Sequence, residues 1–179
     1  MTEIEQLLQR YEQHVCQPWT QQVAGPERIW LVVYAPEQER RLGRALTRFE
    51  MSTTSAGHSW QHLDLTDAFG RWISQHRYRD AYFAEPDVIQ SGLTAFSTAV
   101  KAQIRAALTP DPSSLLAVTG ISALFGLASI SDIMQSVADA IVGRLVIFFP
   151  GTRDGANYRL LDARDGWNYL AVPITAQDA

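Results

Sequence analysis

Residues 144–151 read RLVIFFPG, and this stretch decides the fold. Leu145, Val146, Ile147, Phe148 and Phe149 are apolar without alternation, so a strand formed here is apolar on both faces. Such a strand belongs in the middle of a sheet covered by helices on both sides. Pro150 and Gly151 read as a sharp stop. The segment RIWLVVY at 28–34 has the same character, with Ile29, Leu31 and Val33 on one face and Trp30, Val32 and Tyr34 on the other. LLAVT at 115–119 is a third buried run. HSWQHLDL at 58–65 carries more polar groups and reads as a strand at or near an edge.

Between these runs the apolar spacing becomes helical. Ile4, Leu7, Leu8, Tyr11 and Val15 make residues 2–14 the heart of an amphipathic N-terminal helix (1–16), with Thr2 and Glu5 placed as a capping box. Pro36 opens a helix over about 37–51, since proline suits a first helical turn. Another helix spans about 66–76, with Phe69, Trp72 and Ile73 inward. RYRDAYFAEPD is a bend or short helical turn, a long helix covers 86–108, and further helical segments fill 121–142. Strands alternating with helices call for right-handed crossovers and a mainly parallel sheet. The expected fold is therefore three-layer α/β. It ends in a C-terminal β-hairpin made of NYRLL and NYLAVPI, joined by DARDG, where Asp165-Gly166 is a hairpin signal.

The chain has 179 residues, a formal charge of −4 and an apolar fraction of 46%, so one self-sufficient core is expected. The acidic balance argues against a general nucleic-acid binder. The exception is local. Arg40, Arg44 and Arg48, with Arg41 beside them, recur at helical spacing. They form either a solvated helix face or a docking surface for an acidic partner or nucleic acid. Cys16 is the single cysteine, so no intrachain disulfide can form; it reads as a buried or half-exposed structural thiol. The N-terminus lacks the apolar stretch of a signal peptide, and a cytoplasmic chain is expected. Residues 112–131 carry no charge, but their Ser, Thr and Gly content favours a strand-loop-helix unit over a membrane span.

Catalytic motifs are missing. The loop after the first strand, APEQERRLG, has neither the glycines nor the Lys-Ser/Thr pair of a phosphate-binding loop. There is no GxGxxG and no GxSxG. His58, His62 and Asp64 share one face of the second strand, but nothing supplies a complete zinc ligand set, and a polar edge face is the plainer reading. In open parallel sheets ligands sit beyond the carboxyl ends of the strands. Those ends offer Thr119 and Gly120, then Gly151 and Arg153. They read either as turn chemistry or as a cradle for an anion. In the tail, Tyr158, Trp167 and Tyr169 suit either a contact surface or core packing of the last strands.

Residues 145–174, LVIFFPGTRDGANYRLLDARDGWNYLAVPI, resemble the end of the BrxB family of bacterial BREX phage-defence systems. Phe148, Phe149, Pro150 and Gly151 match a hydrophobic strand ending in Phe-Phe-Pro-Gly. Gly155, Tyr158, Arg159, Leu160, Asn168 and Tyr169 follow in the family's order. LLAVTGISALFG at 115–126 is similar to the family's strand-Thr-Gly-loop segment, and RIWLVVYAP fits its first strand. The sequence departs at Leu161, where the family often has Phe, and in having one tyrosine after Trp167-Asn168 where two aromatics are common. The resemblance implies a RecA- or AAA-like core without a phosphate loop and no assigned catalysis or cofactor. It also implies assembly with other BREX subunits, above all the PglZ-like component. The function expected is a non-catalytic interaction subunit. The alternative is a small-ligand (nucleotide or phosphate) sensor or enzyme using the loops at 119–122 and 150–155.

Overall fold

The central strand is β4, Arg144–Asp154. A computed structural model of the chain describes residues 1–163 and 166–177. In it β4 pairs in parallel with β1, Ile29–Tyr34, on one side and with β3, Ser114–Thr119, on the other. Beyond β3 lies β2, Ser59–Asp64, at the edge. Beyond β1 lies β7, Val172–Ile174, also parallel. Taking the parallel strands in chain order, the sheet runs second, third, fourth, first, fifth. This order gives the three-layer α/β fold with a mainly parallel sheet that the strand and helix pattern predicts.

The doubly apolar strands are buried on both faces, as their composition requires. Ile29, Leu31, Val33, Leu145, Ile147 and Phe149 form one core with α3 (Ala68–Gln75), α5 (Leu93–Ala107) and α6 (Ile130–Val137). Trp30, Val32, Tyr34, Val146 and Phe148 form the other with α1 (Glu3–Val15) and α2 (Glu39–Ser55). Burial of each such side chain contributes roughly 1.5–3 kcal/mol. The capping box of α1 is present: Glu5 N–H donates to Thr2 Oγ1 at 3.3 Å and Thr2 N–H to Glu5 Oε2 at 2.8 Å. On this face Tyr11 and Thr53 share a buried 2.5 Å hydrogen bond between α1 and α2.

Several boundaries differ from the sequence reading. Pro36 opens a short 3-10 turn, Pro36–Gln38, and α2 starts after it. The helix then runs through Ser52, Thr53 and Thr54, whose hydroxyls donate to carbonyls one turn back at 2.9–3.1 Å. Residues 86–108 divide into a 3-10 segment, Pro86–Gly92, and α5. The break falls at Gly92, where a Cβ would meet the Tyr82 hydroxyl at 2.9 Å. RYRDAYFAEPD takes the helical of its two expected forms, a short helix α4, Arg79–Ala84. As expected, the uncharged stretch becomes a strand-loop-helix unit: β3, a 3-10 turn and the start of α6. Among the described residues no helix is long and apolar enough to cross a membrane.

The largest correction concerns Pro150 and Gly151, which do not end β4. Pro150 is the last residue paired with β1, opposite Tyr34. From Gly151 the strand pairs antiparallel with β5, Asn157–Leu160, through a tight turn at Gly155 (φ +58°) and Ala156. Proline lacks a ladder donor and glycine lacks a Cβ, so together they mark where β4 changes partner. The predicted second tail strand also divides. β6, Trp167–Asn168, pairs with β5 and completes the C-terminal hairpin layer. Residues 172–174 leave it and become β7 on the main sheet. Arg164 and Asp165 of the expected turn lie outside the described residues.

The two edges are unlike. β7 is three residues long and contains Pro173, features that blunt an edge. β2 has six residues and no proline. Ser59 and Leu65 donate their N–H groups to β3-side carbonyls, so by strand alternation the backbone groups of Trp60, His62 and Asp64 point outward.

Candidate functional site

The chain leaves β1 toward the β2 edge and leaves β4 toward the β7 edge. The carboxyl ends of β1 and β4 therefore form the topological switch point, where ligands bind in open parallel sheets. A crevice of 550 Å³ lies there, its walls including Glu3, Tyr34, Glu37, Gly151, Arg153 and Thr175.

Its chemistry does not suit a polyphosphate. The first amide beyond β1, Ala35 N–H, donates to Glu3 Oε1 at 2.8 Å. The next residue is Pro36, which has no N–H. Gln38 N–H turns back to Ala35 O at 2.9 Å. Tyr34 donates to Glu39 Oε2 at 2.5 Å, and burial together with that carboxylate holds the phenol protonated well above its ordinary range. The first amide a phosphate loop would present is thus taken by the chain's own Glu3, and the next residue has none to offer. Glu3 could be found only through the tertiary fold, because α1 and the β1 end are distant in sequence.

Arg153 lines this crevice and is half-buried, and its Nε has no partner. It pairs across strands with Tyr158. Burial raises the Tyr158 phenol and the neighbouring guanidinium works against that rise. Gly151, predicted as part of a cradle, faces β5: an added Cβ would land on the Arg159 carbonyl and meet the Phe149 ring at 2.8 Å.

Thr119 and Gly120 lie apart from this crevice, at the ends of β2 and β3. Gly120 has φ +77° and packs on Thr66 and Asp64, so that a Cβ would sit 2.6 Å from Thr66 Oγ1 and 2.7 Å from Asp64 Oδ1. Asp64 Oδ1 accepts from Thr66 N–H at 2.9 Å and from Thr66 Oγ1 at 2.6 Å. These bonds, the hydroxyl first, hold the carboxyl below its usual range. Thr119 Oγ1 is 2.7 Å from His62 Nε2. The space read as an anion cradle is occupied by an Asx turn, and Asp64-Leu65-Thr66 was the signal for it. His58 stacks instead on Trp19, ring centroids 3.4 Å apart. Among the described residues no three His, Cys, Asp or Glu side chains gather around one point.

The tail aromatics pack inward. Tyr158 is 1% and Tyr169 8% exposed, and Trp167 is half-buried. Tyr158 and Trp167 both lie edge-on to Phe149, with centroids 6.0 and 5.7 Å away. They build the core beneath the hairpin, leaving little surface for a partner.

The arginines are where a partner could reach them. Arg40, Arg41, Arg44 and Arg48 are all exposed on α2. Arg41, Arg44 and Arg48 line the seam between α1 and α2, and Arg40 lies outside it. Cys16, read as a buried or half-exposed thiol, is exposed at the end of α1 and lines the same seam. It caps the helix, and its backbone alone is engaged there.

Comparison with known proteins finds no matching family model, no matching curated protein and no matching solved structure.

Proposed function

We propose that this chain is a non-catalytic interaction subunit of a BREX-type anti-phage complex in the cytoplasm, and that it binds the PglZ-like component. One observation supports a core without nucleotide-loop chemistry: at the switch point the β1-end amide is taken by Glu3, the next residue is proline, and Glu37 adds further negative charge. A parallel α/β core without a phosphate loop at this point keeps its scaffold and can offer its helix faces to a partner. The defence role and the partner rest on the resemblance of residues 145–174.

The test is co-purification of the full chain with the PglZ-like protein encoded beside it. A stable stoichiometric complex is expected. Failure to associate, with both proteins folded, removes the reading.

A second reading keeps the crevice as a small-ligand site, because Arg153 presents an unpartnered buried Nε beside it. Ligand binding to the folded state raises thermal stability. A rise in Tm with nucleotide or phosphate that is lost in Arg153→Met would favour this reading.

A further inference from the structure

α1 and α2 run side by side in the same direction. Thr2 and Ile4 border a hollow with Arg41 and Arg44 near the helix starts. Glu12 and Cys16 border another with Ser52, Ser55 and Ala56 near the ends. These hollows, 250 and 420 Å³, both border Arg48 and follow one another along the seam as a two-part groove. Residues 41–55 make this groove about 21 Å long.

The walls are chemically unequal. The α1 wall bears Glu5 and Glu12, and both carboxylates are engaged within the chain. Glu5 accepts from the Thr2 backbone, and Glu12 Oε1 accepts from Ser52 Oγ at 2.9 Å. The α2 wall bears Arg41, Arg44 and Arg48. Arg41 donates to Gln38 at 3.2 Å, and among the described residues neither the Arg44 nor the Arg48 guanidinium has an ion pair or hydrogen bond, although the Arg48 charge helps hold the Glu5 carboxyl below its usual range across the seam. Like charges one turn apart destabilise a helix, so an opposite charge brought to this face relieves their repulsion. Met51, one turn beyond Arg48, is 61% exposed and provides an apolar patch at the wider hollow.

We infer that the α1–α2 groove is the docking surface for an acidic, amphipathic helical segment of the partner protein. Its carboxylates meet Arg41, Arg44 and Arg48, and an apolar side chain enters the hollow beside Met51. A helix of about 14 residues matches the groove's length, and helix-in-groove recognition uses this combination of anchors. A nucleic acid would satisfy the arginines but gains nothing from the Met51 end, and the net charge of −4 opposes it. The inference rests on the interaction-subunit reading and adds its surface and partner chemistry.

The experiment compares the full chain, Arg44→Glu/Arg48→Glu, Met51→Glu and the charge-matched control Arg71→Glu/Arg159→Glu, each checked for an unchanged Tm. Kd for the PglZ-like partner is measured at low and high salt. Alkylation of Cys16 is followed by mass spectrometry with and without the partner. We expect roughly tenfold or greater weakening in the Arg44/Arg48 variant, a loss in Met51→Glu, no change in the control, and slower Cys16 alkylation in the complex. If the wild-type complex forms but the groove variants bind as well as wild type and Cys16 stays equally reactive, the groove assignment is overturned and the interaction reading survives. If no complex forms at all, the broader reading fails first. Groove-dependent binding of a plain DNA duplex with Met51→Glu unaffected would overturn the acidic-helix partner in favour of phosphate.

Discussion

Two strand ends look alike in the sequence: Thr119-Gly120 after β3 and Pro150-Gly151 in β4. Each follows an apolar run, and each could be read as a phosphate-type cradle. In the structure the first is a true end. The chain turns with Gly120 at φ +77° against the Asx turn of Asp64 and Thr66. The second is a change of partner, where β4 passes from β1 to β5. Both glycines exist because another part of the same chain comes too close for a side chain. Glycine after a strand signals close approach, and only the tertiary fold says whether a ligand or the chain itself arrives.

The comparison can be broken most forcefully at Gly151. Gly151→Val places a branched side chain on the Arg159 carbonyl, and we expect a loss above about 4 kcal/mol, seen as insoluble or unfolded protein by circular dichroism. A stable variant would mean that β5 does not lie against it. Gly120→Ala combines a left-handed backbone cost of about 1–2 kcal/mol with crowding against Thr66. A total near 3 kcal/mol is expected in urea unfolding. Near-wild-type stability there would reopen the cradle reading. Asp64→Ala removes the turn that fills the space and should cost about 1 kcal/mol.

Asp64 also sharpens the contrast through pH. Its folded carboxyl titrates below the ordinary value, so its contribution is complete above about pH 4. That contribution is lost as pH falls through the lowered folded value. Wild type should therefore lose more stability than Asp64→Asn between pH 5 and pH 2, and equal losses would deny the Thr66 bonds. The smallest effect is at Thr152, exposed in the hairpin part of β4, where Thr152→Ala should change stability by under about 0.5 kcal/mol.

The layered fold was legible because it depends on which strands are apolar on both faces. Leu145–Phe149 marked the centre, RIWLVVY a covered neighbour, and the polar groups of Trp60-Gln61-His62 the edge; β4, β1 and β2 occupy those places. The capping box at Thr2 and Glu5 was legible because it is local. Harder to read were features that depend on distant partners. Pro150 looks like a stop until β5 is known to return beside it. The apolar NYLAVPI looks like one strand, yet Tyr169 turns into the core and Val172–Ile174 cross to β1. Glu3 reaches Ala35 across the fold. The arginine spacing correctly signalled an exposed face, but only the packing of α1 shows that Arg41, and not Arg40, faces the groove.

The sheet's unequal edges have a consequence for self-association. A protein with two open edges can add copies head to tail without limit. Here Pro173 and the shortness of β7 blunt one side of the main sheet, so along that sheet β2 is the edge open to a strand from another copy. The outward groups of Trp60, His62 and Asp64 are symmetric about His62, so two such edges meet antiparallel across a twofold axis and leave nothing further to extend. Along the main sheet, the same asymmetry that orders the strands therefore favours joining in pairs over open-ended stacking.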